Sequence, residues 1–269
     1  MSTLPRVLII AGSDSSGGAG IQADIKTATA FGAYAMTAIT AVTVQDTLGV
    51  HGIHPIPPAM VRDQIARAIA DIGADAIKIG MLGNAQMVET VAEALSAYGP
   101  SIPVVLDPVM IAKGGASLLD EDAVAAIKER LLPMARIVTP NIPEAIKLTG
   151  SDLASSEAVT QANETLFSFG AEAVLIKGGH GSGSTVTDLL AVRGEGLWVL
   201  KAARLRTQAT HGTGCTLASA IACGFAEGMR LNDAVARAHR YVQAAIRSAP
   251  GFGVGHGPLN HMHAIAPYR

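Results

Sequence analysis

The segment Thr210-His211-Gly212-Thr213-Gly214-Cys215-Thr216-Leu217 opens an apolar run that reads as one helix through Ala226. The first turn of a helix leaves backbone N–H groups without intrahelical acceptors, and the helix dipole adds positive charge there. The N–H groups of Gly212, Thr213, Gly214 and Cys215 therefore form a candidate anion site, with two glycines keeping side chains clear of a phosphate. The same position favours a thiolate, so a lowered pKa is expected for Cys215. A buried structural cysteine in a glycine-capped helix is the alternative. Cys223, among apolar neighbours, reads as core.

A second group follows the first apolar strand. Gly12-Ser13-Asp14-Ser15-Ser16-Gly17-Gly18-Ala19-Gly20 lets a backbone approach a ligand closely, and Asp24 lies near the start of the next helix. A flexible connecting loop is the plain alternative. No lysine follows the glycine pair, which excludes a Walker loop. Gly18-Ala19-Gly20-Ile21-Gln22-Ala23 matches the G-x-G-x-x-A pattern of dinucleotide-binding turns, and Asp46 stands where a ribose-binding acid would. Six residues separate the strand's end from Gly18, however, and that turn has to be tight. An NAD-dependent oxidoreductase is thus a distant alternative.

Other strand ends carry polar groups as well. Gln45 in Gln45-Asp46-Thr47 can donate and accept at once, which suits the edge of a flat heterocycle. Asp107-Pro108-Val109-Met110 and Thr139-Pro140-Asn141-Ile142-Pro143-Glu144 bring two carboxylates that could hold Mg²⁺ through waters beside phosphates. Singly, Glu144 would merely favour a helix N-terminus and Asp107 a turn. Lys177-Gly178-Gly179-His180 places a cation before a glycine pair, a natural phosphate neighbour.

These residues must be positioned by the elements between them. Short apolar strands are expected over 6–11, 35–44, 76–79, 104–107, 137–139 and 173–177. Segments 188–192 and 197–201 flank a turn and read as a late antiparallel hairpin. Apolar residues at helical spacing mark four helices: Val61, Ile65, Ala68, Ile69 and Ile72; Val88, Val91, Ala92 and Leu95; Val124, Ile127 and Leu131; and Leu231 through Ile246. Strands alternating with helices imply an α/β fold, a mostly parallel central sheet with helices on both faces. In such folds ligands gather beyond the carboxyl ends of the strands. No linker or repeat divides residues 1–269, so one domain is expected.

Composition agrees with this reading. Of 269 residues 49% are hydrophobic and 16% charged, too apolar for intrinsic disorder. Lys plus Arg is 20 and Asp plus Glu 22, a net −2 that argues against nucleic acid as a partner. No apolar stretch approaches the roughly 20 residues of a membrane helix, and the early run Val7 to Ala11 is short for a secretory signal. Cys215 and Cys223 on one helix would lie about 12 Å apart, beyond disulfide reach, which fits a cytoplasmic protein.

Taken in order, these motifs resemble the hydroxymethylpyrimidine and phosphomethylpyrimidine kinases of thiamine biosynthesis, members of the ribokinase-like superfamily. The resemblance rests on the glycine loop through Asp24, Lys78-Ile79-Gly80-Met81-Leu82, and the segments around Asp107, Asn141, Lys177 and Cys215. It runs from Arg6 to about Pro258. It implies ATP-dependent phosphorylation of 4-amino-5-hydroxymethyl-2-methylpyrimidine and then of its monophosphate, with ATP and Mg²⁺ as cofactors. Gly12, Asp24, Gln45, Met81 and Val109 would line the pyrimidine pocket. Asp107 and Glu144 would serve the metal, and Asn141, Lys177 and Thr213 the phosphates. Gly212, Thr213, Gly214 and Cys215 would form the catalytic anion hole, with Cys215 as base. A cytoplasmic homodimer is implied. Ser15 replaces a common proline. Sugar kinases of the superfamily carry Asp in place of Cys215, whereas some pyridoxal kinases share the cysteine, which makes vitamin B6 the main alternative substrate.

Overall fold

A computed structural model describes residues 4–110, 119–180 and 183–265 of the chain. Its first half runs β1 (Arg6–Ala11), α1 (Gly20–Ala30), β2 (Tyr34–Ile39), β3 (Ala41–Gln45), β4 (Val50–Pro55), α2 (Pro58–Asp71), β5 (Ala76–Ile79) and α3 (Ala85–Tyr98). Then follow β6 (Val104–Leu106), α4 (Glu121–Ala126), β7 (Ala135–Val138), α5 (Ile142–Thr149), α6 (Ser156–Ser168) and β8 (Ala173–Ile176). The chain continues through β9 (Thr185–Val192), β10 (Gly196–Ala203), α7 (Thr213–Ala226) and α8 (Leu231–Arg247).

Eight strands form one sheet in the order β10-β9-β8-β7-β6-β5-β1-β2. The six strands from β8 to β2 pair in parallel, and β9 and β10 add an antiparallel hairpin at one edge. The sequence-derived α/β architecture is therefore observed. Alternate strand residues divide the core as a period of two requires. Leu8, Ile10, Ile77, Ile79, Leu106 and Val138 pack beneath α2, α3, α4, α5 and α6. Val7, Ile9, Val105, Ile137 and Leu175 face α1, α7 and α8. No helix among the described residues is long and apolar enough to cross a membrane.

One expected strand proves to be two. The run 35–44, with Thr37, Thr40 and Thr43 among apolar residues, shows no turn signal, yet the chain changes partner at Thr40. Its N–H bonds Ala11 O, its hydroxyl donates to Met81 O at 2.7 Å, and its carbonyl accepts from Ile56. β2 stays in the main sheet, while β3 turns out of it and pairs only with β4. Periodicity reports which side chains share a face, not which strand they pair with. β4 itself, Val-His-Gly-Ile-His-Pro, is too polar and exposed to show an apolar pattern. The helix expected around Val124 also changes pitch, passing from α4 into a π-helical turn over Ile127–Leu131.

Candidate active site

A cavity of about 550 Å³ opens beyond the carboxyl ends of the parallel strands, between the β3–β4 hairpin and the start of α7. Gly12, Gln45, Met81 and Val109 line it on the hairpin side. Asp107, Asn141, Glu144, Lys177 and Gly212, Thr213, Gly214 and Cys215 line it further in. Beyond Lys177 the walls become apolar through Val186, Leu205, Val242 and Ile246, with Asp188 and His239 beside them. The side chain of His180 lies outside the described residues.

The α7 end is built to leave room. Gly212 adopts φ +79°, and a Cβ there would collide with the carbonyl oxygen of Gly18. A Cβ on Gly214 would stand 3.1 Å from Lys177 Nζ and 3.4 Å from Asp107 Oδ2. The helix N-terminus thus faces a cation and a carboxylate across a narrow gap. Thr213 spends its hydroxyl proton on Thr210 O at 2.8 Å, so toward the cavity it offers lone pairs.

Lys177 Nζ bonds Asp107 Oδ1 at 2.8 Å and stands 4.0 Å from Glu144 Oε2. Thr139 Oγ1 donates to the same Asp107 oxygen at 3.2 Å. Asn141 and Glu144 form a reciprocal capping box that starts α5: Asn141 Oδ1 accepts from the Glu144 N–H, and Glu144 Oε2 from the Asn141 N–H. Burial raises the Glu144 carboxyl to about 7; Lys177 pulls it down and Asp107 pushes it further up. The helix-start alternative for Glu144 is real, but it coexists with a place in the cavity wall.

Two expectations fail here. Asp24 does not reach the cavity: its side chain is fully buried, with Oδ2 2.8 Å from Lys78 Nζ and Oδ1 accepting from Ser219 Oγ at 2.7 Å. The first turn of α1 aims it at the underside of β5 rather than at a ligand. Nor is the Cys215 thiol depressed. Burial pushes it up to about 11, and the neighbouring Lys78 ammonium only partly opposes this. The exposed helix-terminus argument omitted the desolvation that comes with the sulfur's enclosed position. Cys215 and Cys223 are both free thiols.

Three further residues matter that carried no role from sequence alone. Lys78 lies in β5 between Ile77 and Ile79, and that charged residue inside an apolar strand was the available signal. Asp14 accepts from the N–H groups of Ser16, Gly18 and Ala19, and its Oδ2 meets His211 Nε2 at 2.8 Å. Burial opposes the Asp14 charge, but His211, Ser16 and Ala19 outweigh it and hold the carboxyl at about 2. This buried contact ties the glycine loop to the start of α7. Asp46, by contrast, only closes the hairpin turn, accepting from Leu48 and Gly49 N–H and pairing with His51.

The family model for phosphomethylpyrimidine kinase matches residues 14–260, which take in all of the cavity lining but Ala11, Gly12 and Ser13. The chain belongs to the phosphomethylpyrimidine kinase family. It is 49% identical over 263 residues to the thiamine biosynthesis bifunctional protein ThiED of Geobacter sulfurreducens, covering 98% of this chain and 53% of that one. It is 48% identical to the hydroxymethylpyrimidine/phosphomethylpyrimidine kinase of Bacillus subtilis, covering 95% of this chain and 94% of that relative. Among solved structures, an ADP complex of Bacillus subtilis pyridoxal kinase superposes with a TM-score of 0.88 at 34% identity, over 97% of this chain and 98% of that one. The fold is thus shared with a solved pyridoxal kinase.

Proposed function

We propose that the chain is a hydroxymethylpyrimidine/phosphomethylpyrimidine kinase, moving the γ-phosphoryl of ATP to 4-amino-5-hydroxymethyl-2-methylpyrimidine and then to its monophosphate. The observation that carries this is the cavity's division. An end lined by Gln45 and Met81 meets an end lined by Lys177 and the α7 N-terminus, and beyond it the walls are apolar at Val186, Leu205, Val242 and Ile246. Identity favours the pyrimidine over pyridoxal, because one organism, Bacillus subtilis, supplies relatives of both kinds at 48% and 34%. The protein acts in this reading as a single cytoplasmic domain, as a homodimer, without nucleic acid or membrane.

Asp107 and Glu144 present hard oxygen donors, and the described residues hold no cluster of three or more metal-ligating side chains. That set fits Mg²⁺, which takes one or two carboxylates and fills its shell with water and substrate phosphate. When bound, the ion would neutralise charge on the phosphates. The chain's own residues do the rest. Lys177 and the N–H groups at Gly214 and Cys215 bind the transferring group, and Gln45 orients the ring. Burial holds the Cys215 thiol protonated at neutral pH, so it must first lose that proton; the substrate hydroxyl can then give its own proton to Sγ as its oxygen bonds the γ-phosphorus. The bond to the ADP oxygen then breaks, and the electron pair leaves on ADP. Such transfers depend mainly on positioning and electrostatic stabilisation.

A side-by-side assay of ADP release with the pyrimidine alcohol, its monophosphate and pyridoxal tests the proposal. Turnover of both pyrimidines above pyridoxal supports it, and preference for pyridoxal overturns it.

A further inference from the structure

The buried pair under α7 has no part in the chemistry described so far. Lys78 has no exposed surface, and charged groups are almost never found in that state without a partner. Its partner Asp24 is equally enclosed. The pair is not a free-standing staple, because a third group fixes where it sits. Ser219 holds the other Asp24 oxygen, and Ser219 lies four residues after Cys215, one turn along the same face of α7. The ammonium is thereby registered to the turn that carries the sulfur. Lys78 also borders the cavity, and Gly80 leaves room for its ammonium, since a Cβ there would lie 2.8 Å from Nζ.

We propose that Lys78 is a positioning residue for Cys215: fixed by Asp24 and Ser219 beneath the first turn of α7, its ammonium is the counter-charge for an anion forming at the Cys215 sulfur. This rests on the kinase reading only in the use made of that anion.

The groups facing Cys215 come from every neighbouring element. They are Lys78 from β5, Asp24 from α1, Asp107 after β6, Lys177 after β8, and the backbone N–H of Gly20. Of the charges acting on the sulfur, Lys78 is the strongest that favours ionisation, while Asp24 and Asp107 oppose it. Burial works against the Lys78 charge, but Asp24, Cys215 and Asp107 together hold it in the charged form. Lys78 and Asp24 thus have opposite signs of effect on one thiol, although they are partners in one ion pair.

That opposition supplies the test. The rate of iodoacetamide alkylation at Cys215 is followed against pH by peptide mass spectrometry in wild type, Lys78→Met and Asp24→Asn. The expected result is slower alkylation in Lys78→Met, about tenfold for each unit that the thiol pKa rises, and faster alkylation in Asp24→Asn. A role confined to the fold would move both variants in the same direction, and that outcome overturns the proposal. Should either single variant fail to fold, the double variant Asp24→Asn/Lys78→Met removes both charges. Its Cys215 should still alkylate more slowly than wild type, and an unchanged or faster rate overturns the proposal. Turnover of the pyrimidine alcohol by wild type is measured separately, so failure of the kinase reading is seen apart from these rates.

Discussion

Two aspartate–lysine pairs face the start of α7, and both have a 2.8 Å contact. Asp24–Lys78 is sealed, with no exposed surface on either side chain. Asp107–Lys177 is open, its lysine side chain 14% exposed and a second carboxylate, Glu144, 4.0 Å away. The chemistry is the same and the surroundings differ. A sealed pair cannot trade its partner for a ligand, so its charges stay where the fold puts them. An open pair with a spare carboxylate can exchange contacts with an incoming phosphate. Position relative to solvent, more than residue type, separates the fixed charge from the working one.

The largest expected effect comes from breaking the sealed pair. Asp24→Ala leaves the Lys78 ammonium buried and uncompensated, which costs about 3–5 kcal/mol. Urea unfolding measures it, and a loss below about 1 kcal/mol would mean that water reaches the pair. At the open pair the balance should reverse. Lys177→Ala is expected to lower kcat by about 10²–10³-fold, as when a donor to the transferring group is lost. Its midpoint in urea should move much less than that of Asp24→Ala. Similar stability losses in the two variants would erase the distinction.

The open cluster should also show in the pH dependence of stability. Glu144 titrates near 7 when folded, against an ordinary 4.5. Between those values the folded state holds a proton that the unfolded state has released. Stability therefore falls as pH rises from about 4.5 through 7, by about 3 kcal/mol at most. Glu144→Gln should flatten that slope. His261 contributes the opposite trend: burial first, then Lys26 and His263, lower it to about 4. It favours the fold above its unfolded value near 6.5, and that stability is lost as pH falls toward 4. A slope unchanged in Glu144→Gln would show that Lys177 keeps the carboxylate ionised.

The sealed and open pairs were not equally legible in the sequence. Asp107, Glu144 and Lys177 follow strands, and in parallel α/β sheets that position alone points toward a ligand site. The parallel core could be read in the same way, since its strands are short apolar runs between amphipathic helices. Asp24 was misread because a carboxylate beside a glycine loop looks the same whether it faces the cavity or the core. Only the register of α1 against β5 decides. Cys215 failed for a related reason: sequence shows the helix terminus but not how deeply it is enclosed. The β3–β4 hairpin was hidden because strand pairing depends on partners distant in the chain.

The smallest expected effect lies at Gln45, the neutral group over the same cavity. Its Nε2 stands 3.4 Å from His211 Nε2, while that ring nitrogen is 2.8 Å from the Asp14 carboxylate. A carboxylate only accepts, so His211 must carry its proton on Nε2 to serve it. The ring nitrogen then has no lone pair for the Gln45 amide, whose N–H groups stay available. On the other side, among the described residues Gln45 Oε1 has only the 3.2 Å contact from Thr43 Oγ1, a hydroxyl that also reaches Ser13 O at 2.8 Å. The amide is therefore held in place but not saturated. Gln45→Ala should weaken pyrimidine binding by about 1–3 kcal/mol, the penalty for leaving ring-edge groups unpaired. ATP affinity should not change, because the proposed nucleotide end is the far end of the cavity. Calorimetric titration of the variant with each ligand separates the cases. Equal losses for both would make Gln45 a support for the hairpin, and the sealed and open classes would then fail to extend to neutral groups.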